Sequence, residues 1–326
     1  MGKIQKIKRG ADDSMKLGFL TACLPKQSLE NLVVWAKSVG FEMLEVACWP
    51  VKNTRDYSST TLDVVRLTRD EAERIKKLFE QNNMQISSLA YYDNNLHPDL
   101  VIRKSYHDHL KKVIDAANLL GVKYVGTFVG RNYNKTIKEN FDEFEIVFKE
   151  ILEYAKEKGV SIIIENCPMP GWNSNGGWTG TISYSPELWE EMFSRLPYDN
   201  FGLNLDPSHL LWLGIDPVSV IKEFKDKIFH VHAKDTQILK DKLNKYSIFG
   251  SQIQRKNEWD MGYWMYRMPG RGEIDWKAFL KELKQNGYSF VVSIEHEDPE
   301  YEGTEEKVKE GLRLGFEYLK DVITEI

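Results

Sequence analysis

The chain has 326 residues, of which 42% are hydrophobic and 29% charged, a balance that excludes a disordered or fibrous protein. Its formal net charge of -5 gives no general attraction to nucleic acid or to anionic membranes. The three cysteines, Cys23, Cys48 and Cys167, show no Cys-x-x-Cys spacing, which argues against a disulfide framework and a thiolate zinc site. No apolar run approaches the roughly 18 residues that span a bilayer. We therefore expect a folded cytoplasmic protein with neither nucleic acid nor membrane as a partner.

Short apolar runs alternate along the chain with longer amphipathic segments, which is the pattern of repeated β/α units. After a polar leader at 1–14, the predicted strands cover residues 16–20, 43–47, 85–90, 124–128, 161–165, 201–206, 228–233 and 290–295. The predicted helices cover residues 29–39, 69–82, 102–120, 143–157, 186–196, 217–224, 276–285 and 305–322. Eight units without a linker-like segment predict one α/β domain over 15–326, a single (β/α)8 TIM barrel. A doubly wound sheet is disfavoured because no Gly-x-Gly-x-x-Gly follows the first strand.

Two long loops follow predicted strands five and seven. Residues 167–185 are rich in Gly, Asn and Trp, and residues 236–269 carry six aromatic side chains. The active sites of TIM barrels lie at this C-terminal end of the strands. We therefore expect the loops to cover a ligand, the alternative being that the aromatic side chains pack the loops onto the barrel rim.

The last four predicted strands run into acidic or imidazole side chains, which are Glu165, Asp206, His232 and Glu295. Because the C-terminal ends of barrel strands converge on one mouth, we expect these four side chains to meet there. Three carboxylates and one imidazole make an oxygen-rich metal site. Mn²⁺ is our first choice for it, with Mg²⁺ or Co²⁺ as alternatives, and Zn²⁺ fits this donor set less well.

Such a centre predicts chemistry next to a carbonyl group. A divalent metal that chelates two neighbouring oxygens of an α-hydroxy ketone acidifies the adjacent C–H group. A carboxylate on each side of that carbon can remove the proton and return it, so Glu165 and Glu295 are the predicted proton carriers. This chemistry is that of an isomerase or epimerase working through an enediolate. If the same intermediate expels a leaving group, the protein is a lyase or dehydratase instead.

The segments Ile-x-x-Glu-Asn, Leu-Asp-x-x-His, His-x-His-x-Lys-Asp and Ile-Glu-x-Glu carry these side chains. They resemble the xylose isomerase-like TIM barrel superfamily, also called AP endonuclease family 2, over nearly the whole chain. The resemblance implies a sugar isomerase or epimerase acting on a keto sugar or keto-inositol, with the same four metal ligands. It also implies that His209 contacts substrate and that Lys234 and the loop carrying Arg271 line the pocket. The alternatives are that His209 holds Asp206 and that Lys234 pairs with Asp235.

Predicted strands two and three end at the same mouth. Trp49 there offers an apolar face for a sugar ring, while Asn95 and His97 offer partners for its hydroxyl groups. Packing is an equally good interpretation of Trp49. We place His230 one layer below His232, in a packing or supporting role.

Other activities share the predicted metal site. A 3-keto-glycoside lyase, like the catalytic subunit of a C-glycoside deglycosidase, and an inosose-type dehydratase need the same ligands, and the aromatic loop favours a bulky substrate. The AP endonuclease branch is disfavoured, because its extra histidines are replaced here by Ala47-Cys48-Trp49 and Ala90-Tyr91-Tyr92. We expect a small carbohydrate as substrate, and we leave open association with a second copy or a small partner subunit.

Overall fold

The computed structural model describes residues 14–53, 58–172, 179–251, 253 and 262–326, so the leader predicted at 1–14 lies outside it except for Ser14. Two strands, β8 (Asp235–Ile238) and β9 (Trp264–Arg267), form an antiparallel hairpin. The parallel strands are β1 (Lys16–Leu20), β2 (Met43–Ala47), β3 (Gln85–Asn94), β4 (Tyr124–Phe128), β5 (Ser161–Glu165), β6 (Phe201–Leu205), β7 (Ile228–Ala233) and β10 (Val291–Ile294). These strands close into a barrel in the order β1-β10-β7-β6-β5-β4-β3-β2.

Helices alternate with the barrel strands. They are α1 (Leu29–Val39), α2 (Arg69–Gln81), α3 (Leu100–Leu120), α4 (Ile137–Glu157), α5 (Pro186–Arg195), α6 (Pro207–Trp212), α7 (Ile221–Phe224), α8 (Lys240–Tyr246), α9 (Trp276–Gln285) and α10 (Glu305–Glu325). The prediction of a single (β/α)8 TIM barrel is confirmed. Within the described ranges, every helix is too short or too polar to cross a membrane.

Capping side chains fix where the helices begin and end. At α4, Thr136 Oγ1 accepts the Glu139 N–H at 3.2 Å, and the Glu139 carboxylate accepts the Thr136 N–H at 2.8 Å, a complete capping box. Helix α1 ends at Gly40, whose φ of 115° is a left-handed conformation that favours glycine. Helix α1 therefore ends just before the chain turns into β2.

The barrel separates an apolar layer from a polar interior. Between strands and helices, Trp189 of α5 and Trp276 of α9 are fully buried, and each such side chain contributes roughly 1.5–3 kcal/mol or more. Glu45 of β2 and His232 of β7 also have no exposed surface, yet they touch each other across the ring although β2 and β7 are not neighbours. Polar side chains therefore fill part of the barrel interior, where each must find a partner.

The segment 236–269 differs from the predicted loop. It contains most of the β8–β9 hairpin and helix α8, and Trp264 of β9 stacks on Trp212 of α6 with ring centroids 4.7 Å apart. Residues 252 and 254–261 lie outside the described ranges, as do residues 173–178 of the other predicted loop. The predicted helix at 217–224 is reduced to α7, and α6 was missed. Elements of four to six residues are too short to show a clear hydrophobic period.

Candidate metal centre

The C-terminal ends of β5, β6, β7 and β10 bring four possible ligands together. Glu165 ends β5, Asp206 follows β6, His232 is the second-last residue of β7, and Glu295 follows β10. One ligand atom from each side chain lies within 4.8 Å of the other three. Glu165, Asp206 and His232 are buried, and the Glu295 side chain is 13% exposed. The four side chains singled out from the sequence thus meet at one point of the barrel mouth.

Two buried atoms of this cluster have no hydrogen bond. They are Asp206 Oδ2 and His232 Nδ1, considering the described residues. His232 Nδ1 lies 3.0 Å from Glu295 Oε2 and 3.6 Å from Glu165 Oε1, so three atoms that can bind a metal ion lie close together. A cation among them satisfies all four side chains at once. The donor set therefore fits a divalent metal ion.

Lys234 offsets part of the negative charge. Its buried Nζ lies 2.7 Å from Glu295 Oε2, 3.3 Å from Asp206 Oδ2 and 3.4 Å from Glu297 Oε2. Burial disfavours the ammonium ion, but the carboxylates, Glu295 foremost, raise the pKa of Lys234 well above its ordinary value. Burial raises the pKa of Glu297 to about 8, and Lys234 opposes that rise. Lys234 thus contacts the cluster directly, and its role as a substrate-pocket residue stays a prediction.

His209 of α6 connects the cluster to the hairpin. Its Nε2 lies 3.1 Å from Glu165 Oε1 and 3.4 Å from Asp206 Oδ2, and its Nδ1 lies 3.0 Å from Tyr266 Oη. Since a carboxylate only accepts, Nε2 carries the proton and Tyr266 donates to Nδ1. The Tyr266 ring also packs against Lys234, with Nζ 4.5 Å from the ring centroid. Tyr266 lies in the loop predicted to cover a ligand, and nothing in the sequence indicates its contact with His209.

Asp235, the first residue of β8, binds the loop between β9 and α9. Its carboxylate accepts four hydrogen bonds of 2.8 to 3.1 Å, from the backbone N–H groups of Thr236, Gly270 and Ile274 and from the Trp276 indole. An added Cβ at Gly272 would overlap Asp235 Oδ1, so the loop approaches the carboxylate only because glycine stands there. The alternative pairing of Lys234 with Asp235 is therefore not what the structure shows.

Asn95 and His97, which were predicted to bind hydroxyl groups of the substrate, form hydrogen bonds within the protein. Asn95 is fully buried, and its Nδ2 donates to Thr127 Oγ1 at 3.0 Å and to the Phe128 carbonyl at 2.7 Å. His97 Nδ1 accepts the Asp99 N–H at 3.1 Å, just before α3 begins. Asn95 thus braces the end of β3 against β4, and His97 shapes the entry to a helix.

The other two predicted pocket residues differ in exposure. Trp49 is 2% exposed and packs against Tyr91 and Tyr92, with ring centroids 6.3 and 6.0 Å away. Arg271, whose side chain is 44% exposed, binds Glu300 Oε2 at 3.2 Å. The observed contacts of Trp49 are those of a packed core ring, and those of Arg271 are those of a surface cation.

A charged side chain directly below the cluster was missed by sequence analysis. Glu45 Oε2 lies 2.9 Å from His232 Nε2 and 3.0 Å from Ser293 Oγ, and Oε1 accepts the Tyr92 hydroxyl at 2.7 Å. Burial opposes its charge, but His232 and His230 bring the pKa of Glu45 down to about 2. The available signal was a glutamate within the run Met-Leu-Glu-Val-Ala, because a buried acid is costly unless it is paired.

Comparison with known proteins identifies the family of this chain. Residues 33–321 match the family model described as "Xylose isomerase-like TIM barrel". The chain belongs to this family. The resemblance drawn from the sequence motifs is thereby confirmed, and the family assignment covers most of the chain, including all four clustered side chains.

Several known proteins are similar to this chain along much of their length. The uncharacterized protein YfiH of Bacillus subtilis (strain 168) is 29% identical over 95% of this chain and 100% of its own. The inosose isomerase of the same organism is 30% identical over 67% of this chain and 68% of its own. A crystal structure of IOLI protein with a binding zinc atom has a TM-score of 0.69 at 22% identity, covering 95% of this chain and 99% of that one. The prediction that this chain is an enzyme is confirmed.

Proposed function

We propose that this protein is a divalent-metal-dependent isomerase or epimerase that acts on a keto sugar or keto-inositol. The observation that carries the proposal is the meeting of Glu165, Asp206, His232 and Glu295 at the barrel mouth, where two of their buried atoms lack a hydrogen bond to any residue that the structure describes. The name of the inosose isomerase relative supports the substrate class. The zinc atom in the IOLI structure supports a divalent metal.

Glu165, Asp206, His232 and Glu295 are the proposed metal ligands. When bound, the ion supplies Lewis acidity that polarises the substrate carbonyl. Three carboxylates and one imidazole favour Mn²⁺, with Mg²⁺ and Co²⁺ as the alternatives. Zn²⁺ is the competitor to be compared directly, because a zinc atom is present in the related IOLI structure.

Glu165 and Glu295 are the proposed proton carriers. Glu165 ends β5 and Glu295 follows β10, and these strands are separated in the ring by β6 and β7, so the two carboxylates approach the centre of the mouth from different sides. One carboxylate removes the proton next to the carbonyl, which gives the enediolate, and the other returns a proton to a neighbouring carbon or to the opposite face. His209 Nε2 holds the Glu165 carboxylate and Lys234 Nζ holds that of Glu295, which keeps both in position.

Substrate binding is assigned first to His209 and Lys234, because they touch the cluster. Substrate contacts by Trp49, Asn95 and His97, and by Arg271 on its loop, stay predictions. So do the cytoplasmic location and association with a second copy or a partner subunit.

The test of this function is deuterium uptake in D₂O, followed by proton NMR after the protein and metal are removed. The substrates are free ketohexoses, keto-inositols and 3-keto-glucosides, each with Mn²⁺-loaded and chelator-treated protein. We expect metal-dependent exchange at the carbon next to the carbonyl, together with a new isomer or epimer. Glu165→Gln and Glu295→Gln should each abolish exchange, because an amide cannot take up the proton.

The matched control is Glu157→Gln, which makes the same chemical change at an exposed position of α4. It should exchange deuterium at the wild-type rate, and all three variants should keep the wild-type circular dichroism spectrum. Full activity in Glu165→Gln or Glu295→Gln would contradict the proton-carrier assignment. Equal exchange in chelator-treated protein would contradict metal dependence.

A second candidate function is elimination from the same enediolate, as in a 3-keto-glycoside lyase or a dehydratase. The observation that favours it is the hairpin beside the cluster, where Tyr266 reaches His209 and Trp264 stacks on Trp212. This aromatic surface suits a substrate with a bulky aglycone. Release of an aglycone or of water in the same NMR experiment identifies elimination, whereas an isomer without release identifies the leading function.

A further inference from the structure

A continuous row of hydrogen bonds crosses the barrel interior below the metal centre. Ser87 Oγ lies 3.1 Å from His230 Nε2, and His230 Nδ1 lies 2.9 Å from Asn204 Oδ1. Asn204 Nδ2 lies 2.8 Å from Tyr92 Oη, which lies 2.7 Å from Glu45 Oε1. Every member is at most 3% exposed, so these groups depend on one another rather than on water.

The carboxylate at the Glu45 end of the row gives each hydrogen bond a direction. The Glu45 carboxylate only accepts, so Tyr92 donates its single proton to it, and the Tyr92 oxygen accepts from the Asn204 amide. That turns the Asn204 Oδ1 towards His230, which donates from Nδ1. Ser87 then donates to the other nitrogen of His230. The row therefore consists of one donor and one acceptor at every link and ends on Glu45.

The second oxygen of Glu45 meets His232. Glu45 Oε2 lies 2.9 Å from His232 Nε2 and also accepts from Ser293 Oγ at 3.0 Å. Asn204 Nδ2 lies 2.9 Å from the same nitrogen and has a second hydrogen besides the one it donates to Tyr92, but donating it to Nε2 would leave the Nε2 lone pair facing the Glu45 carboxylate. An unprotonated Nε2 would set its lone pair against a buried carboxylate, whereas a protonated one makes a charge-assisted hydrogen bond. Nε2 of His232 therefore carries the proton.

We infer that Glu45 is a positioning residue that holds His232 as its Nε2–H tautomer and so directs Nδ1 to the metal. Nδ1 is the nitrogen that lies 3.0 Å from Glu295 Oε2 and has no hydrogen bond within the described part of the chain. The carboxylate also makes the imidazole a stronger donor of electrons to a cation. This inference rests on the proposed function, because it assigns a supporting group to that same centre.

The test is the affinity of the full chain for Mn²⁺, measured by competition with a fluorescent chelator. Glu45→Gln keeps the shape of the side chain but removes its charge, and we expect it to raise the Kd about 10- to 100-fold. Ser87→Ala is the matched control, since it removes a hydrogen bond at the far end of the same row. Its Kd should stay close to the wild-type value.

A second readout reports the tautomer itself. In protein labelled with ¹⁵N-histidine and loaded with diamagnetic Zn²⁺, His232 should show a protonated Nε2 whose proton resonance moves in Glu45→Gln and not in Ser87→Ala. If Glu45→Gln does not fold, Tyr92→Phe takes its place, because it removes the donor to Glu45 Oε1. We expect a smaller rise in Kd for that variant.

The outcomes separate this inference from the proposed function. An unchanged Mn²⁺ Kd in Glu45→Gln, or in Tyr92→Phe where that variant replaces it, overturns the role of Glu45. Binding of Mn²⁺ by the wild-type protein in the same experiment would still support the metal centre. Equal losses in Ser87→Ala and the Glu45 or Tyr92 variant also overturn that role, since they show general damage to the interior. If the wild-type protein does not bind Mn²⁺, Mg²⁺, Co²⁺ or Zn²⁺, the proposed function itself fails.

Discussion

Lys234 shows how one side chain balances the charge of the cluster. Its side chain is 2% exposed, and Nζ lies within 3.4 Å of carboxylate oxygens of Glu295, Asp206 and Glu297. A buried ion pair adds little net stability, but loss of one partner is costly because the other charge stays buried and unpaired. The metal-free protein should therefore depend on Lys234 more than the metal-loaded protein does.

Lys234→Met tests this dependence by replacing the ammonium group with an apolar chain of similar length. We expect the free energy of unfolding of metal-free protein to fall by about 3–5 kcal/mol. Saturating Mn²⁺ should recover more stability in the variant than in the wild type, because the ion then supplies the missing positive charge. Urea unfolding with EDTA and with Mn²⁺ measures both effects.

Lys225→Met is the control, since Lys225 is exposed between α7 and β7. It should leave the unfolding curves unchanged. If metal-free Lys234→Met is as stable as the wild type, Lys234 does not compensate the carboxylates.

At this scale the sequence predicts the side chains at the barrel mouth, whereas it gives too weak a signal for Glu45, which lies deeper in a strand. Glu165, Asp206 and Glu295 could be found because each breaks an apolar run at a place that the barrel brings to its mouth. Glu45 lies in the middle of β2, and its partners His232 and Ser293 are 187 and 248 positions away. Only the closed ring brings them into contact.

At the scale of elements, the eight barrel strands are predictable and the hairpin is not. Predicted and observed barrel strands share most of their residues. A β-branched run marks each strand, and the capped helices on either side of it mark where the strand begins and ends. In the hairpin, four residue pairs run from Asp235 with Arg267 to Ile238 with Trp264. Neither strand shows a period over so short a length, and the partners are 26 to 32 positions apart along the chain.

The hairpin and its neighbouring loop should loosen when Asp235 loses its charge. Asp235→Asn replaces one acceptor oxygen with an NH₂ group that faces backbone donors, so we expect a loss of about 2–3 kcal/mol in stability. Hydrogen exchange followed by mass spectrometry should show faster exchange in residues 264–276. The barrel strands β3 and β4 should exchange as in the wild type.

Asp241→Asn is the matched control, since Asp241 is exposed on α8. Wild-type exchange throughout Asp235→Asn would show that the four hydrogen bonds do not hold the loop. Faster exchange in both variants would point to a general effect of lost negative charge.

At the scale of the whole molecule, the proposed ligands come from four adjacent strands of the ring, β5, β6, β7 and β10. An ion bound there links four of the eight barrel strands. The unfolded chain has no equivalent site. Binding to the folded state alone stabilises a protein according to ligand concentration and Kd. The metal should therefore change global unfolding and not only local order.

We expect Mn²⁺ at 100 times its Kd to add about 2.7 kcal/mol, which raises the Tm by about 4 °C for a chain of this length. Differential scanning calorimetry over a Mn²⁺ titration measures the shift. Asp206→Asn, which weakens a proposed ligand, should show a much smaller shift, and Glu157→Gln should show the full one. A Tm that is independent of Mn²⁺ in the wild type would argue against the centre.

Only Lys234 separates β7, which carries His232, from β8, the first strand of the hairpin. A designer who grafts this hairpin onto another barrel, or exchanges it for a relative's loop, therefore cuts into the chain next to a proposed ligand. Asp235, the first residue of β8, must travel with the graft, since it joins the hairpin to the loop before α9. Sequence libraries aimed at new substrates are better placed between Ile238 and Trp264. This segment is the part of the hairpin that is most distant in sequence from Asp235 and Arg267, where the hairpin begins and ends.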